Sequence, residues 1–260
     1  MDNNKAAFFE ILNQYFSHIY VLTIERAKER HAVIEEELKG LNYHFFWGLD
    51  SNDFSVEDLI QKNVYSEELA KKNHRYSKPI RGGMLACSLG HKMIYEDTIK
   101  NNYDKILVLE DDVMVNKFNL DNFIKAIQEF PDDGDLLYFD YHKNEKKPLL
   151  GFLKQLAYHI QASLGFLNLT HKAISNLYTK RYSKNLLIAG YHDFTNAYLI
   201  TLSGAKKLLP LQTPVQWFPD HLLHYACSNK LINAYCLKEK TFLQTSQTTQ
   251  KEQSLITENA

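Results

Sequence analysis

The chain reads as an α/β protein with one main sheet flanked by helices. Two patterns predict this. Short apolar runs rich in branched side chains alternate with longer segments of helical periodicity. One run, Lys105-Ile106-Leu107-Val108-Leu109, leads directly into Glu110-Asp111-Asp112, and the chain turns apolar again at Val113-Met114-Val115. Three adjacent acids at the end of a buried strand repel one another and resist desolvation. A divalent cation carrying a phosphorylated ligand answers both costs. In open α/β sheets, ligands sit at the carboxyl ends of strands, where these acids fall.

The elements follow in order. His18 to Ile24 reads as a first strand. Arg26 to Leu41 reads as a helix, with Ile34, Leu38 and Leu41 on one side. His44-Phe45-Phe46-Trp47 is a second short strand ending near Asp50. Ser55 to Asn73 is a polar, helical surface excursion, and Pro79 and Gly82-Gly83 break the chain. Met84 to Asn101 is a strong helix with Cys87, His91, Ile94, Tyr95 and Thr98 on one face. After the acid-ended strand comes an amphipathic helix from Asn119 to Phe130. A turn at Pro131 to Gly134 and a strand from Leu136 to Asp140 follow. This alternation implies a mostly parallel sheet order.

The middle of the chain is less regular. His142 to Pro148 is a charged loop, and periodicity assigns no element between Leu149 and Ala189. Lys172, Lys180, Arg181 and Lys184 give this stretch a positive bias. That bias fits a solvated face, or contact with an anionic acceptor or membrane surface. Asn196 to Thr201 reads as a strand. Ser203 to Leu209 reads as a capped helix ended by Pro210, and Pro219 opens a helix through Cys227. The tail from Thr245 carries no core signal.

Composition narrows the function. The 260 residues are 45% hydrophobic and 23% charged with a net charge of -1, ordinary for a globular protein. There is no basic footprint for nucleic acid. Cys87, Cys227 and Cys236 are odd in number and unclustered, which indicates neither a disulfide framework nor a zinc site. The N-terminal segment is polar, and no run of about 20 apolar residues occurs. The expectation is a cytoplasmic protein with no secretory signal and no membrane-spanning helix; peripheral attachment to the inner membrane face stays open.

Strand alternation turns Glu110 and Asp112 to one side and Asp111 to the other. Glu110 and Asp112 are hard oxygen ligands suited to Mn²⁺ or Mg²⁺. The cation would neutralise charge on a leaving diphosphate. The plainer alternative is an acidic turn in solvent.

At this point the sequence resembles glycosyltransferase family 25, which holds bacterial lipo-oligosaccharide galactosyltransferases and collagen galactosyltransferases. The family's strand ending in Glu-Asp-Asp-Val is matched by Glu110 to Val113. Its Asn-Leu-x-Arg-x-x-x-Arg after the first strand is similar to Thr23 to Arg30, with both arginines kept and the Asn lost. Gly48-Leu49-Asp50-Ser51 keeps the Asp of the family's Ala-Val-Asp-Gly. Gly83, Cys87 and His91 match Gly-Glu-x-Gly-Cys-x-x-Ser-His, while Met84 and Gly90 replace its Glu and Ser. Ala197-Tyr198, Gly204 to Leu209, Phe218-Pro219-Asp220, and Gln244 with Ser254 to Ile256 resemble later blocks.

The resemblance implies a GT-A-like, Rossmann-type mixed sheet. Residues 1–245 would form one domain, with an acceptor-side insertion at about 142–192, and residues 246–260 would be a polar tail. It implies an inverting, metal-dependent transfer of a hexose, galactose first, from a UDP-sugar to a glycan or lipo-oligosaccharide hydroxyl.

Inversion needs a base within reach of the acceptor hydroxyl. Asp220 is the first candidate and Asp193 the second; an Asp in a first helical turn can equally serve the helix dipole. Thr23, Arg26, Arg30, Asp50, His91, Glu110 and Asp111 are candidate donor contacts. Guanidinium groups suit diphosphate, although either arginine could instead pair with helix acids. His91 reads equally as a core histidine. Asp112, Glu110 and His224 form the candidate metal set. The rival reading is a decayed, non-catalytic glycan-binding or scaffold protein, favoured by Met84 and Gly90 and opposed by the intact acid triplet. A metal-dependent phosphoesterase is weakened by the lack of His-rich ligand spacing.

Overall fold

A computed structural model describes residues 3–74 and 77–245. The first half runs α1 Asn3–Tyr15, β1 His18–Thr23, α2 Lys28–Glu37, β2 His44–Trp47, α3 Val56–Gln61, α4 Glu67–Asn73 and α5 Gly82–Lys100. The acid-bearing region follows as β3 Lys105–Glu110, β4 Val113–Val115, α6 Leu120–Glu129 and β5 Leu136–Tyr138. Then come α7 Gly151–Ser163, α8 His171–Ser175, β6 Lys180–Arg181 and β7 Leu186–Ile188. The chain closes with β8 Ala197–Thr201, α9 Leu202–Leu208, α10 Pro219–Ser228, β9 Ala234–Leu237 and β10 Phe242–Gln244.

The main sheet has the order β2-β1-β3-β8-β5-β9-β7-β6, and β4 pairs with β10 apart from it. The expected α/β class and mixed sheet are what the structure shows, but the expected mostly parallel order is not. β1 pairs in parallel with β2 and β3, and β5 with β9. β8 lies antiparallel between β3 and β5, and β7 and β6 continue antiparallel beyond β9. The reason is the connection between β5 and β8. Tyr138 at the end of β5 faces Tyr198 near the start of β8. Residues 139–196 therefore leave β5 and return to β8 at the same end, adding β6 and β7 to the far edge of the sheet on the way. That end carries the acids.

Both faces of the central strands β1, β3, β8 and β5 are buried, so these strands read as continuous apolar runs. Period-two alternation divides each strand between two cores. Ile19, Val21, Leu107 and Leu109 pack toward α1, α2 and α6. Tyr20, Leu22, Ile106 and Val108 pack toward α5, α9 and α10. Each fully buried Leu contributes roughly 1.5–3 kcal/mol of apolar transfer.

Helix α1 is an addition to the expected elements. Phe8, Phe9 and Leu12 bury one side of it, with the Phe8 ring at 4.6 Å from Phe118 and 4.8 Å from Phe123. Gly82-Gly83 does not precede α5 as a separate break. It forms the first turn, with Gly82 at φ +50°. Further along α5, Gly90 allows close approach to β1: a Cβ there would lie 2.9 Å from Leu22 Cδ1. The Ser that the family carries at this point would crowd that contact.

Candidate functional site

The parallel strands β2, β1 and β3 end side by side, with Leu22 opposite Glu110. The chain steps from β1 to β2 on one side and reaches β3 on the other. This is a switch point, where open sheets leave a crevice. The crevice is lined by Thr23, Ile24 and Arg26 beyond β1, by Gly48 to Leu49 and Ser51 beyond β2, and by Glu110, Asp111 and Asp112 beyond β3. Gly83, Ala86 and Cys87 of α5 form another wall, with Gln244 of β10 opposite.

Each acid has its own anchor. β3 ends at Glu110, so Asp111 and Asp112 lie in a turn and strand alternation stops applying. Glu110 Oε1 accepts hydrogen bonds from Thr195 Oγ1 at 2.5 Å and His91 Nε2 at 3.2 Å. With Nε2 as donor, His91 Nδ1 accepts from the Tyr198 hydroxyl at 2.8 Å. Burial pushes the Glu110 carboxyl up, but His91, Thr195 and Arg30 outweigh it and hold Glu110 below the usual range. Asp111 accepts from Thr23 Oγ1 at 2.6 Å and pairs with Arg30 Nη1 at 2.8 Å.

Asp112 is different. Its Oδ2 accepts from Gln244 Nε2 at 2.7 Å, while its buried Oδ1 has no partner. Burial, then the neighbouring Glu110 charge, push its pKa up to about 7. An orphaned carboxylate oxygen beside a second carboxylate is the donor chemistry a hard cation takes.

A separate group of donors also meets here. Cys87, His91 and Glu110 offer ligand atoms within 4.8 Å of one another, a candidate metal-coordinating cluster. It suits a hard cation less well. Burial raises the Cys87 thiol well above its ordinary value, and His91 is engaged on both nitrogens.

The remaining expected residues lie around this centre. Arg26 pairs with Asp50 at the crevice lip. Asp220 occupies the first turn of α10, after Pro219. Its pKa is raised, first by burial and then by Asp193 and Glu110, against the pull of His221. Asp193 pairs with Lys143 and lines a second, larger cavity. His224 lines that cavity too, stacked on Tyr191 at 3.7 Å between centroids. The structure therefore does not bring His224 to the crevice beside Asp112. Burial drives its pKa well below the ordinary value, and its Nδ1 is unpartnered.

Thr195, Tyr198 and Gln244 belong to the network without having been singled out as site residues by chemistry. Tyr198 and Gln244 stand in the blocks that carry the family resemblance. Thr195 gives no sequence signal, because nothing local ties a lone Thr to an acid 85 residues away. Met84 packs with Tyr65, Ile80 and Leu85 in a side cluster and is absent from the crevice wall.

Fold and crevice define an α/β protein with an acid-lined crevice at the switch point of its sheet. The chain belongs to glycosyltransferase family 25 (LPS biosynthesis protein), whose description matches residues 16–223. It is 28% identical over 205 residues to a glycosyltransferase 25 family member of Aedes aegypti, covering 74% of this chain and 28% of the relative. It is 24% identical over 203 residues to procollagen galactosyltransferase 2 of Homo sapiens, covering 75% and 27%. A probable inactive glycosyltransferase 25 family member 3 of Rattus norvegicus is 23% identical over 207 residues, covering 76% and 30%. The chain thus spans less than a third of the length of these relatives.

Similar solved structures include galactosyltransferase LgtC with donor and acceptor sugar analogs, 11% identical with a TM-score of 0.34, covering 81% of this chain and 70% of that one. Apo mouse xyloside xylosyltransferase 1 is 11% identical with a TM-score of 0.34, covering 89% and 76%. At that level of likeness, the sheet order itself defines the fold class. Among the described residues, no helix is long and apolar enough to cross a membrane.

Proposed function

We propose that this chain transfers a hexose, galactose first, from a UDP-sugar to a glycan hydroxyl with inversion. Asp112 carries the reading: a half-buried residue whose buried Oδ1 has no partner and whose pKa is pushed up to about 7, just beyond the end of a central strand. Asp112 and Glu110 would hold Mn²⁺ or Mg²⁺, which supplies Lewis-acid stabilisation of the departing diphosphate. The name of the human relative supports galactose. The acceptor is a lipo-oligosaccharide or another surface glycan, met at the cytoplasmic face of the membrane. Residues 1–245 act as one domain, with 142–192 on the acceptor side; the 246–260 tail, with Ser254 and Ile256, lies outside the described residues.

This chain's own groups divide the work. Asp111, fixed by Thr23 and Arg30, keeps the turn and its acids in position. Thr23, Arg26, Arg30, Asp50 and His91 form or buttress the donor wall. Asp220 takes the proton from the acceptor hydroxyl as the donor bond breaks; it stands in the first turn of α10, and burial first, then the charges of Asp193 and Glu110, raise its pKa. A raised pKa suits a base that operates near neutrality. Asp193 is the second candidate for that role.

A second reading is a non-catalytic glycan-binding or scaffold protein. One observation favours it: Arg30 and Arg26 are already paired with Asp111 and Asp50. The deciding experiment follows UDP release from a panel of UDP-sugars with Mn²⁺, alongside calorimetry. Turnover with one donor establishes transfer. Donor binding without turnover favours the second reading, and no metal-dependent binding of any donor sinks the first.

A further inference from the structure

We propose that α7 and its flanks form a docking surface for an anionic phospholipid bilayer. The inference is independent of the transfer reaction and rests on two features of the segment between β5 and β8.

The first is inverted amphipathicity. Phe152, Leu156 and Ile160 recur every four residues, so they share one stripe of the helix. They are 54%, 55% and 54% exposed. Leu153 lies on the same side, Leu149 precedes it at 95% exposure, and Phe166 follows at 81%. The opposite side holds the helix to the protein with polar groups. Gln155 Nε2 donates to the Ile174 carbonyl at 2.7 Å, and His159 Nδ1 meets His171 Nδ1 at 2.8 Å. A helix on the surface of a soluble protein turns its apolar stripe inward. This one turns it outward. Scattered exposed Leu or Phe residues need no explanation, but a continuous stripe marks a contact surface.

The second feature is charge, and it selects the occupant. From Lys146 to His192 there is no Asp or Glu, although the chain carries 31 acids elsewhere. Lys146 and Lys147 stand just before the helix, Lys154 is on it, and Lys172 is on α8, which packs against it. A second copy docked on the same stripe would bring these cations face to face. A bilayer with anionic headgroups answers both features, taking the apolar stripe into the acyl boundary and the lysines at the headgroups. The helix has 13 residues, about 20 Å at 1.5 Å per residue, so it lies in the interface and does not span it. Lys154 and Tyr158 also line the second cavity. Docking through α7 therefore holds that cavity at headgroup level, where a lipid-linked acceptor would present its sugars.

The test is co-sedimentation of the full chain with vesicles, without any sugar nucleotide. The expected result is binding to phosphatidylglycerol–phosphatidylcholine vesicles and about tenfold weaker binding to phosphatidylcholine alone, with the difference lost at high salt. Leu156→Asp with Ile160→Asp should weaken binding to the mixed vesicles by at least about tenfold. Its circular dichroism and thermal midpoint should stay unchanged, because these side chains are exposed. Lys146→Gln with Lys147→Gln should reduce the anionic preference and leave the apolar stripe intact. Absence of binding to mixed vesicles overturns the proposal, as does undiminished binding by the double Asp variant. A lipid-free dimer that Leu156→Asp dissociates, together with no vesicle binding, would make a second copy the occupant and also overturn it.

Discussion

The acid-lined crevice and helix α7 use polar groups in opposite ways. In the crevice, polar groups point inward and are tied to strand ends: Asp111 to Thr23, Glu110 to Thr195 and His91, Asp112 to Gln244. On α7, Gln155 and His159 bond to the protein while a stripe of apolar side chains faces out. The crevice accepts the cost of buried charge to hold acids in position. The helix leaves apolar surface in water. Each is costly for an isolated protein, and on the readings proposed above each becomes favourable when its ligand is present. Local instability in a fold therefore marks the surfaces that meet a partner.

The largest expected break in the comparison is at Asp112. Asp112→Asn should weaken metal-dependent donor binding by at least about 100-fold, several kcal/mol, in calorimetry. The same variant should raise the thermal midpoint of the metal-free protein at about pH 8, where the wild-type carboxylate is ionised and buried. Asp220→Asn comes next. Turnover should fall by roughly 10²–10⁴ with donor affinity retained, and the acid limb of the kcat profile should disappear. Unchanged turnover would move the role to Asp193.

The pH dependence follows from the sign of the Asp112 shift. Its folded pKa of about 7 lies above its ordinary value of 3.8. The folded state therefore binds this proton more tightly, and Asp112's contribution to stability declines as pH rises from 3.8 through about 7. A cation competes with that proton. Differential scanning fluorimetry should show a larger Mn²⁺-induced rise in thermal midpoint at about pH 8 than at about pH 5.5. An equal rise at both would separate the metal from Asp112.

Gly90→Ser should cost about 1 kcal/mol in chemical denaturation, since the new Cβ meets the end of Leu22, a side chain that can shift. The smallest effect is on α7. Leu156→Asp should change stability by no more than about 0.5 kcal/mol and leave donor binding untouched. A large loss would mean that the helix packs on more than the structure shows.

Legibility in the sequence followed the same division. β1, β3, β8 and α6 are readable because burial matches their periodicity, and β3 announces the crevice through the acids at its end. The anchors of those acids are not readable. Thr195 reaches Glu110 across 85 residues, and Gln244 reaches Asp112 across 132. Helix α7 escaped assignment for a related reason. Its stripe is present, but with the polar side inward, and neighbouring Leu149, Leu150 and Phe166 extend the apolar run beyond both ends. Helix α1 was obscured by the polar residues before Phe8, since its burial depends on Phe118 and Phe123 far along the chain.

The sequence by itself determined the α/β class, the acid triplet at a strand end and the family resemblance, because each is written in neighbouring residues. Tertiary structure alone decided the antiparallel insertion of β8, the separation of His224 from Asp112 and the orphaned oxygen of Asp112. Those depend on which strand ends meet and how much water is left between them, and local sequence carries neither.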